Sequence, residues 1–171
     1  MDYRQFHRDA LVIDSHNDTI VMHIRRGNVS LVSGKGERGN GFYGVISFTR
    51  GERPDGDGKP IQINFPKMRE SGIDAAFFAV DVTLARHNHL AYAMDAFGFL
   101  FEDLTAHDAD VVLVKKSEDI LRAKAEGKPA AILAIEHANC TERSLNVVRA
   151  LYALGIRSLG LTHNVSSYAA D

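Results

Sequence analysis

Apolar residues concentrate in four short runs, 10–14 (ALVID), 74–80 (DAAFFAV), 130–135 (AAILAI) and 156–161 (IRSLGL). Short, nearly continuous apolar runs are expected of parallel strands covered on both faces. A fifth run, 111–114 (VVLV), reads as a further strand or a packed connection. Between the runs the pattern turns helical. In 89–106, Leu90, Met94, Phe97, Leu100, Phe101 and Leu104 follow i, i+3, i+4, i+7 spacing and predict a helix with one buried face. Ser117 is placed to cap a helix through Ala125, which Gly127 and Pro129 terminate. Thr141 is placed to cap another through Leu154, with Gly155 as its C′ residue. Strand and helix alternate, so the expected fold class is α/β with a parallel sheet.

Residues 27–58 break this rhythm. They hold nine of the 14 glycines, Pro54 and the run Asp55-Gly56-Asp57-Gly58, and read as a long loop with a small hairpin near 45–48 (VISF). A loop of this length in a compact domain is either a functional lid or a mobile insertion. Its glycines match no phosphate-binding pattern.

Composition narrows the function classes. At 171 residues, 45% hydrophobic, 25% charged and a net charge of -2, the chain is an ordinary globular domain with no clustered basic face for nucleic acid. A single cysteine, Cys140, excludes an internal disulfide and suits a reducing, cytoplasmic compartment. No apolar run approaches the roughly 18 residues of a membrane span, and the polar N-terminus offers no signal-peptide core.

Three polar clusters directly follow predicted strands: Ser15-His16-Asn17-Asp18 after the first, Glu136-His137 after the third and Thr162-His163-Asn164 after the fourth. In parallel barrels the C-terminal strand ends converge on the face that carries the active site. His16 and Asp18, two positions apart on an extended chain, point the same way. Imidazole nitrogen with carboxylate oxygen suits Zn²⁺. Glu136 could bridge two ions, and His163 could hydrogen-bond a developing oxyanion. Against this, eight His and 14 Asp in 171 residues supply about 0.65 His-x-Asp matches by chance. The chain holds a second match, His7-Arg8-Asp9, which precedes the first strand and reads as surface. On these residues alone, a metal site and a set of capped loop polars stand side by side. His87-Asn88-His89 lies at a helix start where its imidazoles diverge, and reads as solvated. His137 faces away from Glu136 on an extended chain and reads as structural. Cys140 lacks a base to activate it.

Ile13-Asp14-Ser15-His16-Asn17-Asp18 resembles the opening metal motif of the membrane dipeptidase family of the amidohydrolase superfamily, where most of the superfamily has His-x-His. Residues 65–80 (FPKMRESGIDAAFFAV) resemble that family's second-strand region. Residues 127–136 (GKPAAILAIE) resemble the strand with its bridging glutamate, and 154–164 (LGIRSLGLTHN) the strand with its substrate-contacting histidine. The matches keep the family's order over nearly the whole chain. The resemblance implies a partial (β/α)8 TIM barrel spanning 1–171, about the first four βα units. It implies that His16 and Asp18 bind one zinc, that Glu136 bridges two, that His163 contacts the substrate, and that the substrates are dipeptides. Two departures stand out. The family has glycines after the bridging glutamate, where this chain has His137-Ala138. Its remaining two metal histidines and catalytic aspartate come from later strands, whereas this sequence stops at Asp171. About 250 residues complete such a barrel, and four strands leave open edges. The expectation is therefore a truncated chain, inactive alone, that associates through those edges, for instance as a homodimer. Rival readings are a non-catalytic half-barrel interaction module and another metal-dependent amidohydrolase.

Overall fold

The structure, a computed structural model, describes residues 2–21, 30–33, 63–85, 87–107 and 109–171. The glycine-rich region 27–58, apart from 30–33, and the hairpin expected near 45–48 lie outside the described residues. The elements in chain order are helix α1 (Tyr3–Asp9), strand β1 (Ile13–Asn17), helix α2 (Phe65–Ser71), strand β2 (Ala75–Asp81), helix α3 (His89–Ala106), strand β3 (Val112–Leu113), helix α4 (Ser117–Ala125), strand β4 (Ala130–Glu136), helix α5 (Leu145–Leu154) and strand β5 (Ile156–Leu159). Short 3₁₀ turns follow β2 (Val82–Leu84) and β4 (Ala138–Thr141). The five strands among the described residues are parallel in one sheet, so the α/β reading holds.

β4 is the hub. β2 lies along one edge through seven paired positions, from Ala75↔Ala130 to Asp81↔Glu136. The two-residue β3 and then β5 share the opposite edge. Alternation along β2 and β4 sorts their side chains between two faces. Ala76, Phe78, Val80, Ala131, Leu133 and Ile135 enter the main core with Phe65 and Met68 of α2 and Tyr92, Phe97 and Leu100 of α3. Ala75, Ala130 and Ile132 pack with Val114 and Ala123 on the other face. Asp81 and Glu136 fall on this second parity, at the C-terminal ends of their strands.

β1 begins three residues later than its apolar run suggests. Ala10 closes α1 instead, and Val12 pairs with the N-terminal end of β2 through Asp74 N–H and Ala75 N–H to its carbonyl, at 2.9 and 3.3 Å. The strand thereby includes the polar residues Ser15 to Asn17. Its register contains an irregularity: Asp14 pairs with Ala76, and Asn17 with Phe78. Three steps along β1 thus match two along β2, and one extra residue exchanges the faces. Without it, His16 would stand opposite Phe78, on the core face.

The helices follow local chemistry. α2, whose pattern was too short to predict, is capped by Asn64, whose Oδ1 accepts from Lys67 N–H at 3.0 Å. It ends at Gly72 with φ 76, where a Cβ would meet the His7 ring at 3.0 Å. α3 matches its predicted span, with Tyr92, Ala93, Ala96, Phe97, Leu100 and Asp103 buried. Asp103 accepts from Leu31 N–H at 2.8 Å, anchoring segment 30–33 on the helix. At α4 the expected cap Ser117 is the first helical residue. Asp119 does the capping, accepting from the Lys115 and Lys116 N–H groups at 2.9 and 3.1 Å. α5 starts at Leu145 with Ser144 as its cap rather than Thr141, because Glu142 and Arg143 adopt left-handed φ values of 50 and 59 that a helix cannot include. Gly155 closes it as expected, with φ 124.

Candidate metal centre

Four strand ends converge. His16 Nε2 lies 3.5 Å from Asp18 Oδ1 and 3.7 Å from Glu136 Oε2, and His163 Nδ1 lies 2.9 Å from Glu136 Oε1. The sequence-predicted residues His16, Asp18, Glu136 and His163 are therefore brought together. A fifth, Asp81, was not among them. Two groups of three side chains have ligand atoms within 4.8 Å of one another: His16, Asp18 and Glu136, and Asp81, Glu136 and His163. Glu136 belongs to both. Asp81 had a legible signal, since it is the first polar residue after the apolar run of β2, the position that Glu136 holds after the run of β4.

Each side chain is placed by its backbone. The β1 irregularity brings His16 to the face of Glu136. Asp81 is nearly buried, and its Oδ1 accepts from Thr83 N–H at 2.8 Å and from the Thr83 hydroxyl at 2.6 Å, fixing the turn after β2. His163 sits in a segment tied back to β4. Ala138 N–H donates to Leu161 O at 3.3 Å, Gly160 N–H to Ile135 O at 2.8 Å, and the Thr162 hydroxyl to Val165 O at 2.9 Å. A Cβ at Gly160 would meet His137 N at 3.4 Å and Glu136 Cα at 3.6 Å, so the segment passes close to the strand end.

His137 takes no part in either ligand group, and both its ring nitrogens are engaged. Nδ1 accepts from Asn139 N–H at 3.3 Å, which leaves Nε2–H to donate to Val165 O at 3.2 Å. It is buried with φ 81, a conformation that suits glycine. That explains the glycine expected here by family resemblance. Burial pushes the Cys140 thiol up to about 12, so it is not a nucleophile at neutral pH. His7 Nε2 contacts Ser71 O at 2.8 Å on α2, away from the strand ends. His87 and His89 belong to no ligand cluster among the described residues.

The site is electrostatically one-sided. Burial raises the Asp18 carboxyl above its ordinary range; the Asp81 charge adds to this, while His16 and His163 pull it down. Glu136 is raised in the same way, first by burial and then by Asp18 and Asp81, against the two histidines. Among the described residues no lysine or arginine pairs with these carboxylates. A divalent cation would supply the missing charge. The donors are imidazole nitrogens and carboxylate oxygens, the set preferred by Zn²⁺ and similar ions. Tetrahedral ligands ~2.1 Å from a metal stand roughly 3.4 Å apart, and the 3.5 and 3.7 Å separations around His16 are close to that.

The sequence matches the model of the membrane dipeptidase family, peptidase family M19, over residues 1–171. The chain belongs to the membrane dipeptidase family. Among solved structures it resembles a metallopeptidase from Rhodobacter sphaeroides liganded with a phosphinate mimic of the dipeptide L-Ala-D-Ala. The TM-score is 0.63 at 19% identity, over 91% of this chain and 46% of that one. It also resembles dipeptidase AC, a metallopeptidase of family M19, with TM-score 0.60 at 22% identity over 87% of this chain and 41% of that one. An amidohydrolase from Pseudomonas aeruginosa gives TM-score 0.59 at 17% identity over 98% and 38%. These likenesses establish the fold, a partial TIM-barrel-like arrangement. The chain spans less than half the length of each of the three. Among the described residues no helix is long and apolar enough to cross a membrane.

Proposed function

We propose that this chain carries the first part of a zinc-dependent dipeptide-hydrolysing site. The observation that supports it most is the sharing of Glu136 between two ligand groups at strand ends, in a chain of the membrane dipeptidase family. His16 and Asp18 would hold one zinc, and Glu136 would be shared between it and a second. Zinc bound there supplies an activated water and a Lewis acid for the substrate carbonyl. His163 engages Glu136 through Nδ1, and its Nε2 faces Asn164 Nδ2 at 2.7 Å; to donate to the oxygen of a substrate carbonyl, where negative charge develops, Nε2 would exchange Asn164 for that oxygen and carry the ring proton. Glu136, only 17% exposed, keeps its position through the rigid central strand that carries it.

Alone, the chain turns over dipeptides poorly in this reading. His16 and Asp18 are each 49% exposed, and water at the site weakens the electrostatics that catalysis needs. The apolar surface of Leu145, Leu161 and Val165 near β5 favours self-association, which sedimentation velocity would register as species above 18.8 kDa.

The test is calorimetric. Zn²⁺ is titrated into the wild-type chain and His16→Ala, and a phosphinate dipeptide mimic into each with and without zinc. The expected result is zinc affinity at least about tenfold weaker in His16→Ala and zinc-dependent binding of the mimic. Equal zinc affinity in His16→Ala, or mimic binding indifferent to zinc, overturns the proposal.

A further inference from the structure

We propose that the cleft between the N-terminus of α5 and the segment after β5 binds a small organic carboxylate with an apolar tail and a blocked amino group, of the class of N-acyl amino acids. None of His16, Asp18, Glu136 and His163 lines this cleft, so the inference stands apart from the metal reading.

The cleft has a volume of about 590 Å³, within the range of small-molecule sites. One wall is apolar, built from Leu145 and Val148 of α5 and from Leu159 and Leu161. The other wall offers hydrogen-bond donors. Thr141 lines it and is 8% exposed, and its hydroxyl has no hydrogen-bond partner among the described residues. Its oxygen is not one of the unpaired side-chain atoms sealed inside the protein, so the hydroxyl opens into the cleft. A hydroxyl placed this way has given up most of its water and lacks a replacement partner. Ser167 Oγ accepts from Ala169 N–H and Ala170 N–H at 2.9 and 3.1 Å, so its remaining capacity is to donate. The first turn of α5 adds the N–H groups of Leu145 and Asn146, which have no acceptor within the helix, together with the positive end of the helix dipole.

Charge selects the ligand. Arg143 lines the cleft with its guanidinium 4.5 Å from the centre of the Tyr168 ring, and it forms no ion pair among the described residues. Tyr168 is held in turn by its N–H, which donates to Asn139 Oδ1 at 3.1 Å. One guanidinium and a set of donors match one negative charge, and a carboxylate presents two oxygens to them. No aspartate or glutamate lines the cleft. The ammonium of a free amino acid would therefore meet only donors and cations, whereas an acylated nitrogen carries no charge. The leucine and valine wall suits a branched aliphatic side chain.

The probe is N-acetyl-L-leucine, titrated into the ¹⁵N-labelled chain in EDTA so that no metal contributes. Saturable shifts are expected at the Leu145 and Asn146 amides. N-acetyl-L-leucinamide, which lacks the charge, and L-leucine, which adds an ammonium, are expected to bind at least about tenfold more weakly. Arg143→Gln, a change at an exposed position, is expected to weaken binding by about tenfold, and Thr141→Val by about threefold, each with an unchanged thermal midpoint. Equal binding of the acid and the amide, or of wild type and Arg143→Gln, overturns the inference. A second copy seated on Leu145 and Leu161 would instead leave these amides unmoved by N-acetyl-L-leucine in protein that sediments as a dimer, and that result overturns it as well.

Discussion

The Nδ1 of His163 stands 2.9 Å from Oε1 of Glu136, while the other oxygen of the same carboxylate faces His16 Nε2 at 3.7 Å. One glutamate, 17% exposed, is thus gripped from both sides by imidazoles from strands on opposite sides of β4. Removing it affects both ligand groups at once. Glu136→Gln is expected to weaken Zn²⁺ binding by at least about 100-fold, beyond His16→Ala or His163→Ala alone, because residues of one network do not act additively. Calorimetry on the three variants measures this, and parity between Glu136→Gln and His16→Ala would show that Glu136 is not shared.

The raised carboxyls predict opposite pH trends for stability and for metal binding. Folded Asp18 and Glu136 hold protons more tightly than their ordinary values of 3.8 and 4.5. Their contribution to stability is full below those values and is lost as pH rises through the raised folded ones. Zinc needs the carboxylates charged, so its affinity rises over the same interval. Thermal unfolding of metal-free wild type and an Asp18→Asn/Glu136→Gln double variant, from below 3.8 to neutrality, checks the sign. The wild type is expected to lose stability relative to the variant as pH increases.

Lys124 ties the N-terminal segment to the sheet. Its ammonium donates to the carbonyls of Arg8 and Ala10 at 3.0 and 2.9 Å and pairs with Asp74 at 2.9 Å. Asp74 also accepts from Val12 N–H at 2.8 Å, where β1 begins. Lys124→Met is expected to cost about 1–3 kcal/mol, the range for hydrogen bonds to charged groups, read from the urea midpoint. A change under about 0.5 kcal/mol would assign the cluster to the surface class of ion pairs.

His137 separates backbone strain from side-chain contact. His137→Ala loses the bond to Val165 O and keeps a side chain at φ 81; His137→Gly loses the same bond and relieves the strain. Glycine is therefore expected to be the more stable variant by about 1 kcal/mol. Equal midpoints would show that the positive φ carries no cost here.

The patterning of apolar residues was enough to place β2, β4, α3 and the α/β class, because strands and helices buried in a core announce themselves by period. It did not reveal α1, none of whose residues is buried, nor the start of α5, decided by two left-handed residues. The metal-type residues His16, Asp18, Glu136 and His163 were legible as polar groups at strand ends. Their convergence on one face was expected from the fold class, but the irregularity in β1 that exchanges the faces of the sheet and brings His16 there was not legible. Asp81 shows the limit most plainly. Its residue type and position at the end of a run were visible, but its partnership with Glu136 exists only through the register of two strands separated by 55 positions of chain. Sequence sets which side chains can bind a cation, and tertiary pairing decides which of them share one, because ligand contacts are non-local and periodicity is local.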